Sequence, residues 1–371
     1  MIIGCVAERK HYEYRVGIPP AHVKQYTDGG HTVYIQAGAG EGAAFSDEMY
    51  VQMGAIVIPT AQEVWEKSDM MVKVKEPLPE EFDLLREGQI LYAYLHLAAD
   101  RGLTEMLLKK KVKAVAYETI EGRHGGLPLL KPMSEVAGRL SIQVGAQCLE
   151  KQMGGMGLLL GGVPGVQRAN VVVLGAGVVG IGACKVAMGF GANVTVLDNN
   201  LDRLTYIEDL FGQKIQTLYC TPAAVEQVLP DADLIIGAVL VPGAAADKLI
   251  RREYLKTMKP GSVIVDVAVD QGGCCETTRV TYHDDPTYVI DGVVHYGVAN
   301  MPGAVPKTST IALTNATIQY GKAIADLGLE AAAKEDPGLA LGVNCYLGHM
   351  TCKAVAEEFG LPYRDLMGLL S

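Results

Sequence analysis

The chain has 371 residues, 49% hydrophobic and 20% charged, with 32 Lys and Arg against 42 Asp and Glu for a formal net charge of −10. That length is too great for one simple core, and the composition excludes a disordered or low-complexity chain. The acidic balance, with no basic stripe to offset it and no run of like charges that would make a tail, makes the chain a poor candidate for binding a nucleic-acid backbone.

At the N-terminus, MIIGCVAERK runs apolar only until Glu8, Arg9 and Lys10. That pattern predicts a first strand over residues 2–5 rather than a signal peptide. No apolar stretch reaches the ~20 residues needed to span a bilayer. The eight cysteines contain no CxxC pair, and Cys274 and Cys275 are adjacent. Reduced thiols in a cytoplasmic protein are expected.

Short branched runs predict further strands at 32–36, 55–58, 70–74, 90–95 and 113–117, then at 170–174, 193–197, 234–239, 262–267 and 294–297. Helix-length segments such as 103–111 and 178–190 lie between them. This alternation predicts an α/β fold with parallel sheets covered on both faces. Two longer periodic segments, 134–152 and 309–327, each open on a candidate serine cap, Ser134 and Ser309. They border a central block, so a domain at 134–304 is expected to be inserted into a discontinuous domain at 1–133 and 305–371. The tail from Pro337 to Ser371 would return to the first domain.

The stretch NVVVLGAGVVG carries the strongest local signal. A buried strand ends at Gly175, Gly177 and Gly180, a helix follows, and the next strand ends in Asp198. Gly175 permits the tight turn, Gly177 lets backbone approach a pyrophosphate, and Gly180 lets helix and strand pack closely. The helix N-terminus offers N–H groups to the phosphates. Asp198 would accept from adenosine ribose hydroxyls and repel a 2′-phosphate, favouring NAD over NADP, although Arg203 stands nearby.

Ligands of open parallel sheets gather beyond the carboxyl ends of strands. Arg15, Lys75 and His96 fall there in the first domain and Asp270 in the second, and the four are expected to serve one ligand. Arginine matches a carboxylate and lysine polarises a carbonyl or imine, while histidine moves a proton near neutral pH and aspartate activates water or ammonia. The set describes NAD-linked interconversion of a 2-oxo acid with an amine or a hydroxyl. The bland alternatives are Arg15 paired with Glu13 at the surface, a core His96, a solvated Lys75 and a capping Asp270. His283-Asp284-Asp285 lacks a partner at ligand spacing and reads as a surface turn, so no metal is expected.

Several longer stretches carry a resemblance. These are EYRVGIPPAHV, TVYIQAGAGEGAAFSDEMY, VKVKEPLPEEFDLL, YLHLAAD, GVPGVQRANVVVLGAGVVG, DLFGQKIQTLY, PGSVIVDVAVDQGGCCETT and HYGVANMPGAVPKTSTIALTNAT. With them the sequence resembles the alanine dehydrogenase/transhydrogenase alpha-subunit family over nearly its whole length. The resemblance implies two Rossmann-like domains, an NAD cofactor and no other, and a homohexamer in the cytoplasm. It also implies reversible oxidative deamination of L-alanine to pyruvate and ammonium. A transhydrogenase-like NAD(H)-binding protein and a dehydrogenase of another small amino acid are the alternatives.

By the same resemblance Arg15 holds the substrate carboxylate and Lys75 its oxo or amino centre, His96 is the acid/base, and Asp270 assists water. NAD contacts are implied at Ser134, at Gly175, Gly177, Val178, Val179 and Gly180 of the turn, and at Asp198 and Arg203. Further contacts are implied at Cys220, Val239, Leu240, Val267, Asp270, Arg279, Val298, Asn300 and Met301. The chain departs from the pattern in three places. GCVAERK lacks the usual Pro–Lys pair before Glu8, Val-Gly-Ile-Pro-Pro follows Arg15, and Cys220 replaces a serine.

Overall fold

Runs of branched and aromatic residues with both faces covered form parallel strands, and such runs set the architecture here. The computed structural model describes residues 1–239 and 248–371. Strand numbers follow the chain. One sheet holds β1 (Ile2–Cys5), β2 (Thr32–Gln36), β3 (Ile56–Ile58), β4 (Met70–Val72), β5 (Ile90–Ala93), β6 (Lys113–Ala116), β14 (Val343–Tyr346) and β15 (His349–Met350). Its order is β15-β14-β6-β5-β4-β1-β2-β3. The other holds β7 (Asn170–Leu174), β8 (Asn193–Asp198), β9 (Gln216–Tyr219), β10 (Leu234–Gly237), β11 (Val263–Asp266), β12 (Thr287–Ile290) and β13 (Val293–Tyr296). Its order is β12-β13-β11-β10-β7-β8-β9.

Two compact units contain these sheets: residues 1–133 with 305–371, and residues 134–304. In the first unit, Trp65, Leu91, Leu103, Leu107 and Val355 pack into one buried cluster against the sheet. In the second, Val172, Ile235, Ile264, Leu229 and Leu255 do the same. Strands β5, β10 and β11 are buried at every position, which is why they read as unbroken apolar runs rather than alternating ones.

Three pairings are antiparallel, contrary to the all-parallel expectation: β6 with β14, β14 with β15, and β12 with β13. The last two are hairpins. Asp291 and Gly292 join β12 to β13 with φ of 49° and 82°, and Leu347 and Gly348 join β14 to β15 with φ of 47° and 89°. Paired positive φ values mark the two-residue turn that matches strand twist, and Asp-Gly is its usual sequence. Strand β14 arrives from three successive helices at Pro306–Leu327, Leu329–Glu335 and Pro337–Gly342, so no crossover fixes it parallel to β6.

Both long helices begin before the serines expected to cap them. They span Lys131–Cys148 and Pro306–Leu327, placing Ser134 and Ser309 inside the first turns. Pro132 and Pro306 account for this. Proline has no N–H to leave unpaired in a first turn, and its φ is already helical, so the helix starts at it. Strand β9 escaped sequence reading because it is an edge strand with no buried residue.

Candidate active site

In the first sheet β6, β5, β4 and β1 are consecutive neighbours and run parallel, so their carboxyl ends share one edge. The segments leaving that edge carry Glu118, His96, Lys75 and Arg15 in turn.

Arg15 is 2% exposed. Glu13 grips its guanidinium with Nε donating to Oε1 at 2.6 Å and Nη2 to Oε2 at 2.5 Å, and the Arg15 backbone N–H also donates to Oε1 at 3.1 Å. Nη1 lies 3.0 Å from Met133 Sδ. The pairing with Glu13 therefore exists, but it is buried and bidentate rather than a surface contact. Such a fork fixes the plane of the guanidinium.

Lys73 and Lys75 occupy different environments two residues apart. Lys73 is fully buried, 3.1 Å from Glu8 and 3.3 Å from Glu81. Glu8 also accepts the Val74 N–H at 2.6 Å, fixing the backbone between the two lysines. Burial opposes the charge on Lys73, but the two carboxylates outweigh it and hold its pKa above the usual lysine value. Lys75 is pulled the other way. Burial lowers its pKa first, and the nearby cations Arg15 and Lys10 lower it further against the opposing Glu76 and Glu13. Sequence reading selected Lys75 and passed over Lys73, Glu8 and Glu81. Their signal is only a Glu near each end of the segment.

His96 follows β5 with its side chain 48% exposed, so it is not a core histidine. Its backbone is left-handed, φ 49° and ψ 41°, and it caps the single turn Leu97–Ala99. The imidazole stacks on Tyr94, with centroids 5.9 Å apart and planes 8° from parallel. Tyr94 is itself anchored by its hydroxyl donating to the Leu129 carbonyl at 2.5 Å. Glu118, absent from the sequence reading, accepts the N–H of Leu95 at 3.2 Å and of His96 at 2.5 Å. Its Oε1 also lies 3.9 Å from His96 Nδ1.

In the second unit the glycine turn follows β7. Gly175 has φ 107°, and a Cβ there would lie 2.6 Å from the Ala238 carbonyl oxygen. A Cβ on Gly180 would lie 1.8 Å from the Gly175 oxygen, whereas one on Gly177 would meet open space. Gly175 and Gly180 are thus required by the turn itself, while Gly177 leaves its approach clear. The helix Val178–Gly189 starts at Gly177 with no side-chain cap, leaving its first N–H groups for a ligand. Val178 and Val179 form that first turn. Asp198 ends β8, where Oδ2 accepts the Ala176 N–H at 2.6 Å and Oδ1 the Asn200 N–H at 2.8 Å. Each oxygen retains a lone pair for a ribose hydroxyl.

The other expected cofactor contacts scatter along the same strand ends. Val239 follows β10 and Val267 follows β11, with the Val267 N–H donating to the Gly237 carbonyl at 2.9 Å. Val298 follows β13 and bridges to Thr281. Asn300, at φ 57°, places its N–H 3.5 Å from Asp270 Oδ2, and buried Met301 opens the next turn. Arg203 is exposed in the helix Leu201–Phe211. Arg279 lies over the Tyr288 ring at 4.3 Å. Cys220 is half-buried, its thiol pushed up in pKa by burial and by Asp198. Ser134 is half-buried in the helix Lys131–Cys148, and Leu240 lies outside the described residues. Among the described residues no group of three or more His, Cys, Asp or Glu could hold a metal ion.

A glycine turn of dinucleotide type on one parallel sheet, and an Arg–Lys–His row on the edge of another, define a class of two-unit nucleotide-binding α/β protein. The comparisons narrow it. A family model described as "Alanine dehydrogenase/PNT, N-terminal domain" matches residues 4–137, and its C-terminal counterpart matches residues 141–353. The chain belongs to this alanine dehydrogenase/PNT family. An alanine dehydrogenase of Methanococcus maripaludis is 54% identical over 98% of both chains, and one of Halomonas elongata is 51% identical over 100% of both. A solved L-alanine dehydrogenase superposes with TM-score 0.95 at 52% identity, covering 97% of this chain and 99% of that one. A Sinorhizobium meliloti transhydrogenase shares the fold, with TM-score 0.84 at 23% identity.

Two outcomes are expected of the lysines. Lys73→Met strands two buried carboxylates and should lower stability by about 3–5 kcal/mol, read by urea unfolding. Lys75→Met should instead stabilise the protein at neutral pH, because the folded state disfavours the Lys75 charge. Between its lowered pKa and the usual 10.5 the unfolded chain binds more protons, so this penalty fades as pH rises. The advantage of the variant should therefore shrink toward pH 10.5; an advantage that grew with pH would contradict the assignment.

Proposed function

We propose that the chain is an NAD-dependent L-alanine dehydrogenase, catalysing L-alanine + NAD⁺ + H₂O → pyruvate + NH₄⁺ + NADH + H⁺ and its reverse. The observation that carries this reading is the row of Arg15, Lys75 and His96 on consecutive strand ends of a chain 50% or more identical to curated alanine dehydrogenases.

The residues fit the cofactor. The clear approach over Gly177, the uncapped helix N-terminus and the Asp198 carboxylate suit a pyrophosphate and an adenosine ribose. When bound, NAD accepts hydride from the substrate α-carbon. Arg15, fixed by Glu13, binds the substrate carboxylate. Lys75 polarises the oxo or imino centre, and substrate negative charge favours its protonated form against the local cations. His96, exposed and held by Tyr94 and Glu118, exchanges the proton at the substrate nitrogen or oxygen. Asp270 activates the water that adds to the imine and assists the carbinolamine stage. Further cofactor contacts are proposed at Ser134, Val178, Val179, Arg203, Cys220, Val239, Val267, Arg279, Val298, Asn300 and Met301. We also infer a homohexamer in the cytoplasm, supported by the family resemblance; no described helix is long and apolar enough to cross a membrane.

NADH formation with a panel of L-amino and 2-hydroxy acids tests the reading, and L-alanine should be the best substrate. His96→Ala should fold and bind NADH while turnover falls about 10²–10⁴-fold. Unfolding with retained specific activity would return His96 to a structural role. Asp198→Gly should weaken NAD and improve NADP use, seen as a changed ratio of kcat/KM for the two cofactors.

A further inference from the structure

Asp266 closes β11 and is 1% exposed. Its carboxylate is saturated by donors from the segment that follows it. Oδ1 accepts the Ala268 N–H at 3.2 Å, while Oδ2 accepts the Cys274 N–H at 2.9 Å, the Cys275 N–H at 3.3 Å and the Thr278 hydroxyl at 2.6 Å. The loop is folded tightly around that anion: Gly273 has φ 77°, and a Cβ on it would lie 2.6 Å from Oδ2. A cation serves the same loop from its carbonyl side. The Lys248 ammonium donates to the carbonyls of Gly272, of Gly273 at 2.9 Å and of Cys275 at 3.4 Å. Within the loop, Asp270 sits on the single turn Val269–Gln271 and is exposed, and its carboxylate makes a long 3.5 Å contact with the Asn300 N–H.

We propose that Asp266 and Lys248 are positioning residues for Asp270, clamping the 268–278 loop by its N–H groups and its carbonyls so that the Asp270 carboxylate is presented in one place. This rests on the role given to Asp270 above. A carboxylate that must activate water needs placement to within about an ångström, since such a displacement alone is worth about 10²-fold in rate. Side-chain contacts at Asp270 do not supply that placement; the backbone beneath it does. Val267 is held separately, through the ladder bond to Gly237, so that cofactor contact does not depend on the clamp.

The test is a double-mutant cycle on the full-length protein, reading kcat for L-alanine and NADH affinity by fluorescence. Asp266→Asn keeps the side-chain shape but turns an NH₂ toward groups that are themselves donors. It should lower kcat by about 10–100-fold and weaken NADH binding by much less. Lys248→Met, an exposed change that spares the core, should lower kcat in the same direction by less. In an Asp270→Asn background, with turnover followed at enzyme concentrations that resolve a loss of about 10⁴-fold, either change should add nothing. Residues acting as one unit behave this way.

Multiplicative losses in the double variants would overturn the proposal, as would an NADH Kd that worsens by as large a factor as kcat falls. If Asp266→Asn does not fold, the Lys248→Met cycle decides alone. Full turnover of Asp270→Asn by itself would strike the role of Asp270, an outcome distinct from failure of the clamp.

Discussion

The hydrogen-bonded register of β6, β5, β4 and β1 is the constraint on which the first unit's candidate site depends. Parallel pairing aligns Leu91 with Met71 and Ala114, and Met71 in turn lies on the strand beside Gly4. Adjacent strands are ~4.8 Å apart, so residues leaving consecutive carboxyl ends emerge as a row. Glu118, His96, Lys75 and Arg15 are far apart in sequence and become neighbours only through this ladder. A side-chain period of two means that slipping one strand by a residue would exchange its buried and outward positions. Strand β5 is buried at every position, so the register that presents His96 is held by its ladders to Met71 and Ala114 on either side.

Along that edge carboxylates partner several buried polar groups. Glu13 takes the Arg15 fork, Glu8 and Glu81 neutralise Lys73, and Glu118 takes two backbone N–H groups. In the second unit Asp266 serves the loop after β11 in the same manner. Charges removed from water persist only when paired and hydrogen-bonded, so each of these groups is structurally committed. Lys75 is the contrast. Burial and the nearby cations Arg15 and Lys10 lower its pKa against the opposing Glu76 and Glu13, so an incoming anion would favour its charged form. A buried cation beside a fixed guanidinium suits the small carboxylate proposed as substrate.

Much of this was legible in the sequence, for identifiable reasons. Strands β1, β2 and β7 and the helix starting at Val178 coincide with their apolar runs because glycine, charge or turn residues bound them sharply. The glycine turn was legible because much of its geometry is local: Gly175 has φ 107° and a Cβ on Gly180 would strike the Gly175 oxygen, although a Cβ on Gly175 would also meet the distant Ala238 carbonyl. Arg15, Lys75, His96 and Asp270 stood out as polar residues after strand-like runs. Glu118, Glu8, Glu81 and Asp266 did not, because their partners are backbone groups or cations that the sequence does not place beside them, and an isolated acid is indistinguishable from a surface one; Glu13 was readable as a partner of Arg15, but not its burial. The Asp291-Gly292 hairpin was readable from its dipeptide and was missed for want of a strong alternating pattern on either side. The helix starts moved upstream because proline in a first turn outweighs a nearby serine.

His96 shows how the two kinds of constraint combine. A non-glycine residue at φ 49° carries backbone strain, and such strain persists only where surrounding structure over-determines it. Here the β5 ladder fixes the chain up to Ala93, the Tyr94 hydroxyl is tied to Leu129, and Glu118 collects the two N–H groups that the sharp turn leaves behind. The left-handed turn ends the strand abruptly and leaves the imidazole exposed, where an extended backbone would have carried it on along the sheet. The strain, the glutamate that offsets it and the outward ring are therefore one arrangement, by which a strand buried at every position delivers a titratable group to solvent within three residues of its end.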